Sequence, residues 1–263
     1  MLRDRLLTAA LALPLLVVCI CCAPVWVFSA TVFLLTCLGL YEFFSLTRDH
    51  NPLPCGLGLG WGGGLAAAMC VGPGALVGAV LTAGFFLTFA WALRTPQPDR
   101  GLAGVSLTLL GVVYVGFLLP HLVWVRQLPD GVGWVFFLLL VAMLGDTGGY
   151  AVGRLWGTRK LIPHISPGKT LEGSAGALLG SLGAAWVGWV WLLPERSWTE
   201  LGVLAAVLAI LAQIGDLCES AVKRACGAKD SGRLFPGHGG LLDRADSLLF
   251  PAAFIYYYGA LWA

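Results

Sequence analysis

The chain has 263 residues, of which 58% are hydrophobic and only 11% are charged. Soluble globular proteins carry about 25% charged residues, so this composition excludes an ordinary soluble enzyme. The formal net charge of +2 says little, and its distribution says more. We expect no nucleic-acid partner. Long apolar stretches instead predict an all-α integral membrane protein, because a helix of about 20 apolar residues crosses a bilayer core of about 30 Å.

Nine apolar stretches are candidate membrane spans. In chain order they cover residues 6–22, 25–44, 56–73, 75–93, 102–125, 132–153, 172–193, 200–218 and 245–262. The third has the lowest helix propensity, because it contains the glycines of "GLGLGWGGG". The first also resembles a signal peptide, but another stretch follows within a few residues, so we expect it to remain a helix. We divide the chain into N-terminal membrane helices, 1–130, and C-terminal membrane helices, 131–263, which carry the long polar loops.

Lysine and arginine are distributed unevenly about these spans. If the N-terminus is cytoplasmic, nine spans place every lysine and arginine on that side except Arg126 and Arg196. Positive residues favour cytoplasmic loops. The polar loops 154–171 and 219–244 would then face the cytoplasm, where nucleotides are. We therefore predict a multi-pass protein of the cell (inner) membrane with a polar cavity that faces the cytoplasm.

Asp146 lies at the end of the sixth stretch, in the segment "LGDTGGYAVG". An ionisable residue inside a span is by default a candidate for function. Gly145, Gly149 and Gly153 recur every fourth residue, and such a stripe lets another helix approach closely. Asp146 is therefore either a substrate-binding residue or only part of a packing interface.

The loop that follows, "GRLWGTRKLIPHISPGKTLEGS", contains a "GKT" that suggests a P-loop. That motif needs glycine at the position of Pro163 and a preceding strand, which the sequence does not predict. Phosphate-compatible donors remain in Ser166, Lys169 and Thr170, just before Glu172. Ser166 or Thr170 can also cap the next helix, whose N-terminus favours anions. The alternative interpretation is a positively charged loop with a plain helix cap.

The eighth stretch ends in "AQIGDLCESAVKRACGAKD". Four of its polar residues fall at i, i+3, i+4 and i+7 and therefore share one face of a helix. They are Asp216, Glu219, Ser220 and Lys223. An apolar helix that ends with two acids, a hydroxyl and a base on one face is expected to line a polar cavity.

Charge is densest in "KDSGRLFPGHGGLLDRADS", residues 229–247. The glycines around His238 allow a tight turn that exposes backbone N–H groups, which suits a phosphate contact. Asp243 and Asp246 follow at i, i+3 in the next predicted helix. With the acids of the preceding helix they can hold hard divalent cations, while the basic residues hold phosphates. Phosphoryl and nucleotidyl transfer is mainly positioning and charge neutralisation, and two cations would need several carboxylates close together.

Residues 220–247 closely resemble the signature of the phosphatidate cytidylyltransferases, also called CDP-diacylglycerol synthases. Twelve positions fit that signature in one register: Ser220, Lys223, Arg224, Lys229, Asp230, Pro236, His238, Gly239, Gly240, Asp243, Arg244 and Asp246. The segments "GDTGGYAVGRLWG" and "ISPGKTLEG" also resemble family segments, although Gly168 replaces a lysine and removes one cation. "YEFFSL", which contains Glu42, is similar to a weaker N-terminal feature of the family.

The resemblance implies a membrane enzyme, often a homodimer among membrane lipids, that makes CDP-diacylglycerol and pyrophosphate from CTP and phosphatidate. It implies dependence on Mg²⁺, with one cation or two, and metal binding by Asp216 and Asp243 with Asp246 and Glu219 nearby. The candidate catalytic residues are Asp216, Lys223, Asp243 and Asp246. The candidate substrate-binding residues are Asp146, Ser166, Lys169, Thr170, Glu172, Ser220, Arg224, Lys229, His238, Gly239, Gly240 and Arg244.

Two other functional classes stay open at this point. A lipid kinase that uses CTP has the same need for cations and basic residues, although the twelve-position match disfavours it. A transporter could also carry acids inside the membrane, but it would not need a glycine-rich basic loop. Glu42 has no assigned role.

Overall fold

The computed structural model describes residues 14–232 and 239–262, most of which are helical. Residues 14–21 form the first helical segment, and the helices that follow are named here in chain order. They are α1 (Val25–Leu46), α2 (Cys55–Val71), α3 (Gly74–Ala92), α4 (Pro98–Gly111), α5 (His121–Gln127), α6 (Gly131–Trp156), α7 (Leu171–Val187), α8 (Trp198–Ala225) and α9 (Leu242–Trp262). The predicted helical class is confirmed in this coarse form.

Six helical segments among the described residues are long and apolar enough to cross a membrane. They are Val25–Leu46, Gly74–Ala92, Pro98–Gln127, Gly131–Trp156, Leu171–Leu192 and Trp198–Ala225. Helix α2 is apolar but has only 17 residues, and α9 has 21 residues with an aspartate in its first turn. Part of the predicted span 6–22 lies outside the described residues. The count of nine spans therefore stays a prediction.

Two of the six segments contain a π-helical turn. Helix α4 continues through Val112–Phe117 and is interrupted before α5 by Pro120, which has no N–H to donate. Helix α7 continues through Gly188–Leu192. These turns explain why the predicted spans 102–125 and 172–193 are each longer than a single α-helix.

The loop between α6 and α7 contains a short antiparallel hairpin that the sequence did not predict. Strand β1 (Lys160–Ile162) pairs with β2 (Ser166–Thr170), with Lys160 opposite Thr170 and Ile162 opposite Ser166. The expectation of a purely α-helical chain, with no strand near "GKT", is therefore wrong at this loop. Strands of three and five residues are too short to show the alternation of apolar and polar residues that identifies a strand.

The described residues fall into two compact units. The first comprises those within Met1–Trp124 and Ala225–Ala245, and the second comprises those within Val125–Arg224 and Asp246–Ala263. The first break along the chain lies close to the predicted division at residue 130. The segment 225–245, which runs from the end of α8 into the start of α9, groups with the N-terminal helices.

In the first unit, the side chains of Phe44 and Leu40 in α1 fill spaces that glycines of α2 leave open. Phe43 and Phe44 are each 1% exposed, and their rings meet edge to face at 5.4 Å. A Cβ added at Gly58 would lie 2.2 Å from Phe44 Cζ, and one at Gly62 would lie 2.8 Å from the Leu40 side chain. The glycines that lower the helix propensity of α2 thus allow close packing, which compensates for it.

In the second unit, an aromatic and charged cluster joins α6, α8 and α9. The Trp134 ring lies 6.0 Å from the Phe137 ring and 6.2 Å from the Tyr258 ring. Arg196 stacks over Trp134 at 5.5 Å, and Tyr258 donates a hydrogen bond of 2.7 Å to Glu200. This cluster connects α6, α8 and α9 within the second unit.

Candidate active site

A cavity of about 430 Å³ lies within the second unit. Its walls come from α6, β2, α7 and α8. The polar residues that line it are Asp146, Tyr150, Arg154, Lys169, Thr170, Ser174, Gln213 and Asp216. The structure thus brings Asp146, the hairpin residues and Asp216 around one cavity, although they come from three separate parts of the sequence.

Helices α6 and α7 approach so closely beside this cavity that their backbones touch. A Cβ added at Gly148 would lie 2.4 Å from the Gly176 carbonyl oxygen, and one at Gly180 would lie 2.1 Å from the Leu144 carbonyl oxygen. The same addition at Gly145 would come no closer than 3.7 Å to another atom. Close approach of a second helix is therefore confirmed, but the tightest contacts are at Gly148 and Gly180 and not at Gly145.

The other two members of the predicted stripe do face α7. A Cβ at Gly149 would lie 3.3 Å from the Gly173 carbonyl oxygen, and one at Gly153 would lie 3.2 Å from Thr170 Oγ1. Polar side chains of α6 also line the cavity. Asp146, Tyr150 and Arg154 do so at intervals of four residues.

An ion pair on the cavity wall connects the hairpin to α8. Lys169 Nζ lies 2.5 Å from Asp216 Oδ2, and the two side chains keep 26% and 31% of their surface exposed. Ser220, one turn further along α8, donates a longer hydrogen bond of 3.4 Å to Asp216 Oδ1. A carboxylate that can hold a cation and an ammonium group that can hold a phosphate are therefore adjacent in the cavity.

The base of the hairpin is held by Glu172 and Thr170. The Glu172 carboxylate accepts hydrogen bonds from the Thr158 hydroxyl at 2.8 Å and from the backbone N–H groups of Thr158 and Arg159 at 3.1 and 3.2 Å. Thr170 Oγ1 accepts the Gly173 N–H at 3.0 Å and so caps α7. The predicted cap is confirmed at Thr170. Glu172 orders the loop, and its contact with substrate stays a prediction.

The tip of the hairpin is held from α8. Arg224 Nε donates a hydrogen bond of 3.3 Å to the Ile165 carbonyl oxygen. Ser166 lies in β2 beside this tip, half-buried. Arg224 thus contacts the hairpin that carries Lys169, and the binding of phosphate by Arg224 stays a prediction.

The charged face of α8 contains a second, buried pair. Lys223 Nζ lies 2.5 Å from Glu219 Oε2, one turn away, and the two residues are 8% and 2% exposed. Together with the Asp216–Ser220 contact, this confirms the predicted polar face of α8. The opposite charges of Glu219 and Lys223 largely neutralise each other in a buried place, which an isolated charge could not occupy without a large desolvation cost.

Asp246 of α9 packs against α8 in the same unit. A Cβ added at Gly215 would lie 2.3 Å from the Asp246 carbonyl oxygen, and Asp216 and Lys223 are the charged residues that act on the Asp246 carboxylate. Asp246 is 7% exposed, and its Oδ1 accepts the Ser247 N–H at 2.6 Å. Asp246 and the residue before Asp216 are therefore in close contact, and the predicted sharing of a cation by Asp216 and Asp246 stays a prediction.

The acids of the second unit suit a cation such as Mg²⁺ that is held partly by water and substrate. Those that the structure describes do not form a site in which protein ligands alone enclose the cation. In the part of the chain that the structure describes, no three His, Cys, Asp or Glu side chains converge on one point. Mg²⁺ is usually bound through one or two carboxylates together with waters and substrate phosphates. Asp216 and Asp246 supply carboxylates of that kind.

The other predicted metal ligand, Asp243, lies in the first unit. Its Oδ2 accepts the backbone N–H of Ser231 at 3.0 Å, the hydroxyl of Ser231 at 2.9 Å and the N–H of Gly240 at 2.8 Å. Gly239 has φ +79°, and a Cβ there would lie 2.6 Å from Asp243 Oδ2. The two glycines therefore let the chain turn back onto Asp243.

Two further candidates, Lys229 and Arg244, are close to this turn in sequence. Lys229 and Arg244 are exposed, and the predicted phosphate-binding residue His238 lies outside the described residues. The Gly240 N–H was predicted to contact phosphate, but in this structure it donates its hydrogen bond to Asp243. A phosphate would have to compete with Asp243 for it.

Several polar residues of the cavity were not predicted, although they lie at helical spacing from predicted site residues. Tyr150 and Arg154 follow Asp146 at i+4 and i+8, and Arg154 donates a hydrogen bond of 2.6 Å to the Tyr150 hydroxyl. Gln213 precedes Asp216 by one turn of α8 and lines the same cavity. A search for polar residues at helical spacing from each intramembrane acid would have found all three.

Comparison with known proteins identifies the family of this chain. The cytidylyltransferase family model matches residues 3–262. The phosphatidate cytidylyltransferase of Brucella suis is 41% identical over 196 residues, which are 71% of this chain and 68% of that protein. That of Bacillus subtilis is 38% identical over 160 residues, 60% of each chain, and that of Mycobacterium bovis is 41% identical over 155 residues, 59% of this chain. The match spans only about half of the mycobacterial relative, 50% of its length. With nearly its whole length matched by one family model, this chain belongs to the cytidylyltransferase family.

Proposed function

We propose that this protein is a phosphatidate cytidylyltransferase, which transfers CMP from CTP to phosphatidate and releases pyrophosphate. The observation that carries the proposal is the Lys169–Asp216 pair at 2.5 Å in a cavity whose remaining walls belong to membrane helices. The names of the bacterial relatives support the same substrates.

The proposed reaction forms one bond and breaks one. A phosphate oxygen of phosphatidate, which is already ionised at neutral pH, attacks the α-phosphorus of CTP. The bond between the α-phosphorus and the oxygen that bridges to the β-phosphorus breaks, and pyrophosphate leaves with that oxygen. Because the nucleophile carries its charge beforehand, no strong general base is needed, and the protein acts through positioning and charge neutralisation.

The polar residues of the cavity divide these tasks. Lys169 and Arg154 are the cations that would contact phosphate oxygens, since both line the cavity. Asp216 and Asp246 would hold Mg²⁺, which would supply positive charge to the phosphates. Asp243 is proposed as a further ligand, as the sequence signature implies, and its hydrogen bonds to the loop 231–240 set the direction of its carboxylate.

Apolar residues on the same walls suit a lipid substrate. Val141, Ala142, Ala177, Ala209 and Ala212 line the cavity beside the charged groups. Large apolar side chains on the outside of these helices are exposed, including Met143 at 53% and Leu179 at 67%, as expected for surfaces in contact with acyl chains. A phosphatidate could therefore place its phosphate in the cavity while its chains stay in the bilayer.

The transfer itself is tested with labelled nucleotide. Purified protein is supplied with phosphatidate, Mg²⁺ and CTP labelled at either the α or the γ position. We expect the α label in the lipid fraction and the γ label in soluble pyrophosphate. Label from the γ position in the lipid would instead establish a lipid kinase, and no labelled lipid from either nucleotide would favour a transporter.

The proposed topology places the N-terminus and the loops 154–171 and 219–244 in the cytoplasm, because lysine and arginine cluster there. Single cysteines at positions 160 and 229, both exposed, would be labelled in sealed vesicles after the 8 native cysteines are replaced. We expect both positions to react from the same side. Labelling from opposite sides would contradict the topology and the participation of both loops in one site. The homodimer implied by the family resemblance stays a prediction.

A further inference from the structure

Glu42 is a buried acid near the C-terminal end of the apolar helix α1. It is 7% exposed and lies in a segment long and apolar enough to cross a membrane. A carboxylate in such a place has a large desolvation cost unless hydrogen bonds satisfy it. The hydrogen bonds to the Glu42 carboxylate therefore explain how a buried acid is stabilised at this position.

The carboxylate of Glu42 caps helix α9 from a distant part of the chain. Glu42 Oε1 accepts the Leu241 N–H at 2.9 Å and Oε2 accepts the Leu242 N–H at 3.0 Å, across 199 and 200 residues of sequence. The Leu242 N–H belongs to the first turn of α9, where no carbonyl of the helix can accept it, and the Leu241 N–H comes directly before that turn. Leucine at 241 has no side-chain oxygen with which to cap the helix, so α1 supplies the acceptor.

Glu42 also contacts the other end of the loop that precedes α9. Glu42 Oε2 lies 3.3 Å from the Ser231 hydroxyl, which in turn lies 2.9 Å from Asp243 Oδ2. The single hydroxyl proton of Ser231 is shared between these two carboxylates. Glu42 is thus connected through one residue to Asp243, and it joins residue 231 to residues 241 and 242.

Two glycines of the loop leave room for this acid. A Cβ added at Gly232 would lie 2.5 Å from Glu42 Oε1. One added at Gly240 would lie 2.5 Å from Glu42 Oε2 and 2.3 Å from Ser231 Oγ. Both described ends of the loop therefore approach the Glu42 carboxylate closely, one at Gly232 and the other at Gly240.

We propose that Glu42 is a positioning residue for the transfer reaction: it joins the two ends of the loop 231–240 and thereby sets the direction of the Asp243 carboxylate. This inference rests on the proposed function for the role of Asp243, but its contacts do not depend on that function. Glu42 acts through Ser231 and the first turn of α9, and it is not assigned any contact with substrate.

The first test is Glu42→Gln, with the exposed acid Asp49→Asn as its control. Glutamine keeps the size of the side chain but replaces one acceptor oxygen by an NH₂ group, which repels the N–H donors. Hydrogen exchange of the peptide 239–245, followed by mass spectrometry, measures whether α9 keeps its cap. We expect exchange about tenfold faster in Glu42→Gln, the effect of losing a charged hydrogen bond, and no change in Asp49→Asn.

The second readout is the affinity for Mn²⁺, measured by electron paramagnetic resonance with Mn²⁺ alone as the probe. Substituting a residue that orients a metal ligand through hydrogen bonds typically weakens metal affinity by about tenfold or more. A substitution that only destabilises the fold lowers the amount of folded protein and leaves the metal affinity of that folded protein unchanged. We therefore expect the dissociation constant for Mn²⁺ to rise about tenfold in the folded fraction of Glu42→Gln. The exposed control should match the unmodified protein.

If Glu42→Gln does not fold, Gly240→Ala tests the same inference. The added methyl group would displace the Glu42 carboxylate without removing the negative charge of Glu42. Gly202→Ala is the control, since a Cβ there meets nothing within 4 Å. Unchanged exchange, or faster exchange with unchanged Mn²⁺ affinity, in the folded variant would overturn the inference. If both readouts change as expected but the unmodified protein transfers no CMP, the inference holds and the proposed function fails.

Discussion

Asp216 and Asp243 were predicted to share one role, but their local environments differ. Asp216 keeps 31% of its side chain exposed and faces the ammonium group of Lys169. Asp243 instead accepts three hydrogen bonds on one oxygen from the loop that surrounds it. The first carboxylate can exchange its partner for another cation, whereas the second is fixed in direction by the backbone. We therefore expect the two acids to serve different needs, charge at Asp216 and orientation at Asp243.

The largest expected effects come from neutralising each of these acids. Asp216→Asn and Asp243→Asn should each lower turnover by on the order of 100-fold or more while the protein stays folded, since each removes a charged ligand with little change in volume. Turnover of lipid from labelled CTP measures this. Glu195→Gln, an exposed acid, should behave as the unmodified protein, and Asp230→Asn should have a milder effect.

Hydrogen exchange of the peptide 239–245 in the same two variants tests whether Asp216 and Asp243 differ in this way. Asp243→Asn should accelerate exchange, because an amide is a weaker acceptor for the Ser231 and Gly240 N–H groups, and Asp216→Asn should not. Equal exchange in both variants would show that the two acids do not differ in the way proposed. Near-normal turnover in either variant would remove its role at the cation.

The next largest effect concerns the packing of α6 against α7. Gly180→Ala should lower the free energy of unfolding by about 1–3 kcal/mol, because overpacking forces backbone shifts and the added methyl would lie 2.1 Å from the Leu144 carbonyl oxygen. Gly183→Ala, where the nearest atom is 3.9 Å away, should be neutral or slightly stabilising. Thermal unfolding in detergent measures both, and equal stability of the two variants would contradict the contact.

Lys169→Met should lower kcat/KM for CTP by on the order of tenfold, through loss of a charged contact with phosphate. Lys160→Met is the matched control, because Lys160 lies in the same hairpin and is exposed. Steady-state kinetics at several CTP concentrations distinguish the two. If both lysines lowered kcat/KM equally, the general positive charge of the hairpin, and not the position beside Asp216, would be responsible.

The smallest effect is expected from the helix cap at Thr170. Thr170→Val removes the acceptor for the Gly173 N–H without changing the shape of the side chain, and should cost about 1 kcal/mol of stability. Thr170→Ser retains the hydroxyl and should recover most of it. Thermal unfolding measures the difference, and a valine variant as stable as the serine variant would argue against the cap.

The sequence alone determined the features that depend on local composition and spacing. Apolar length predicted the membrane helices, because the bilayer sets how many apolar residues a helix needs. Helical spacing predicted the polar face of α8, which the structure confirms in the Asp216–Ser220 and Glu219–Lys223 contacts. The twelve-position signature predicted the family, because its residues follow one another at the spacing typical of that family, and the family model confirms the prediction.

Only the tertiary structure decided which distant residues meet. No local rule connects Glu42 to the first turn of α9, because the hydrogen bonds join residues 199 and 200 positions apart. The tightest contact between α6 and α7 depends on the rotation of each helix, which small residues at several neighbouring positions leave undetermined. The hairpin at 160–170 forms because Lys169 and the loop base are tied to Asp216 and Glu172, and such tertiary contacts override the weak preferences of two short strands.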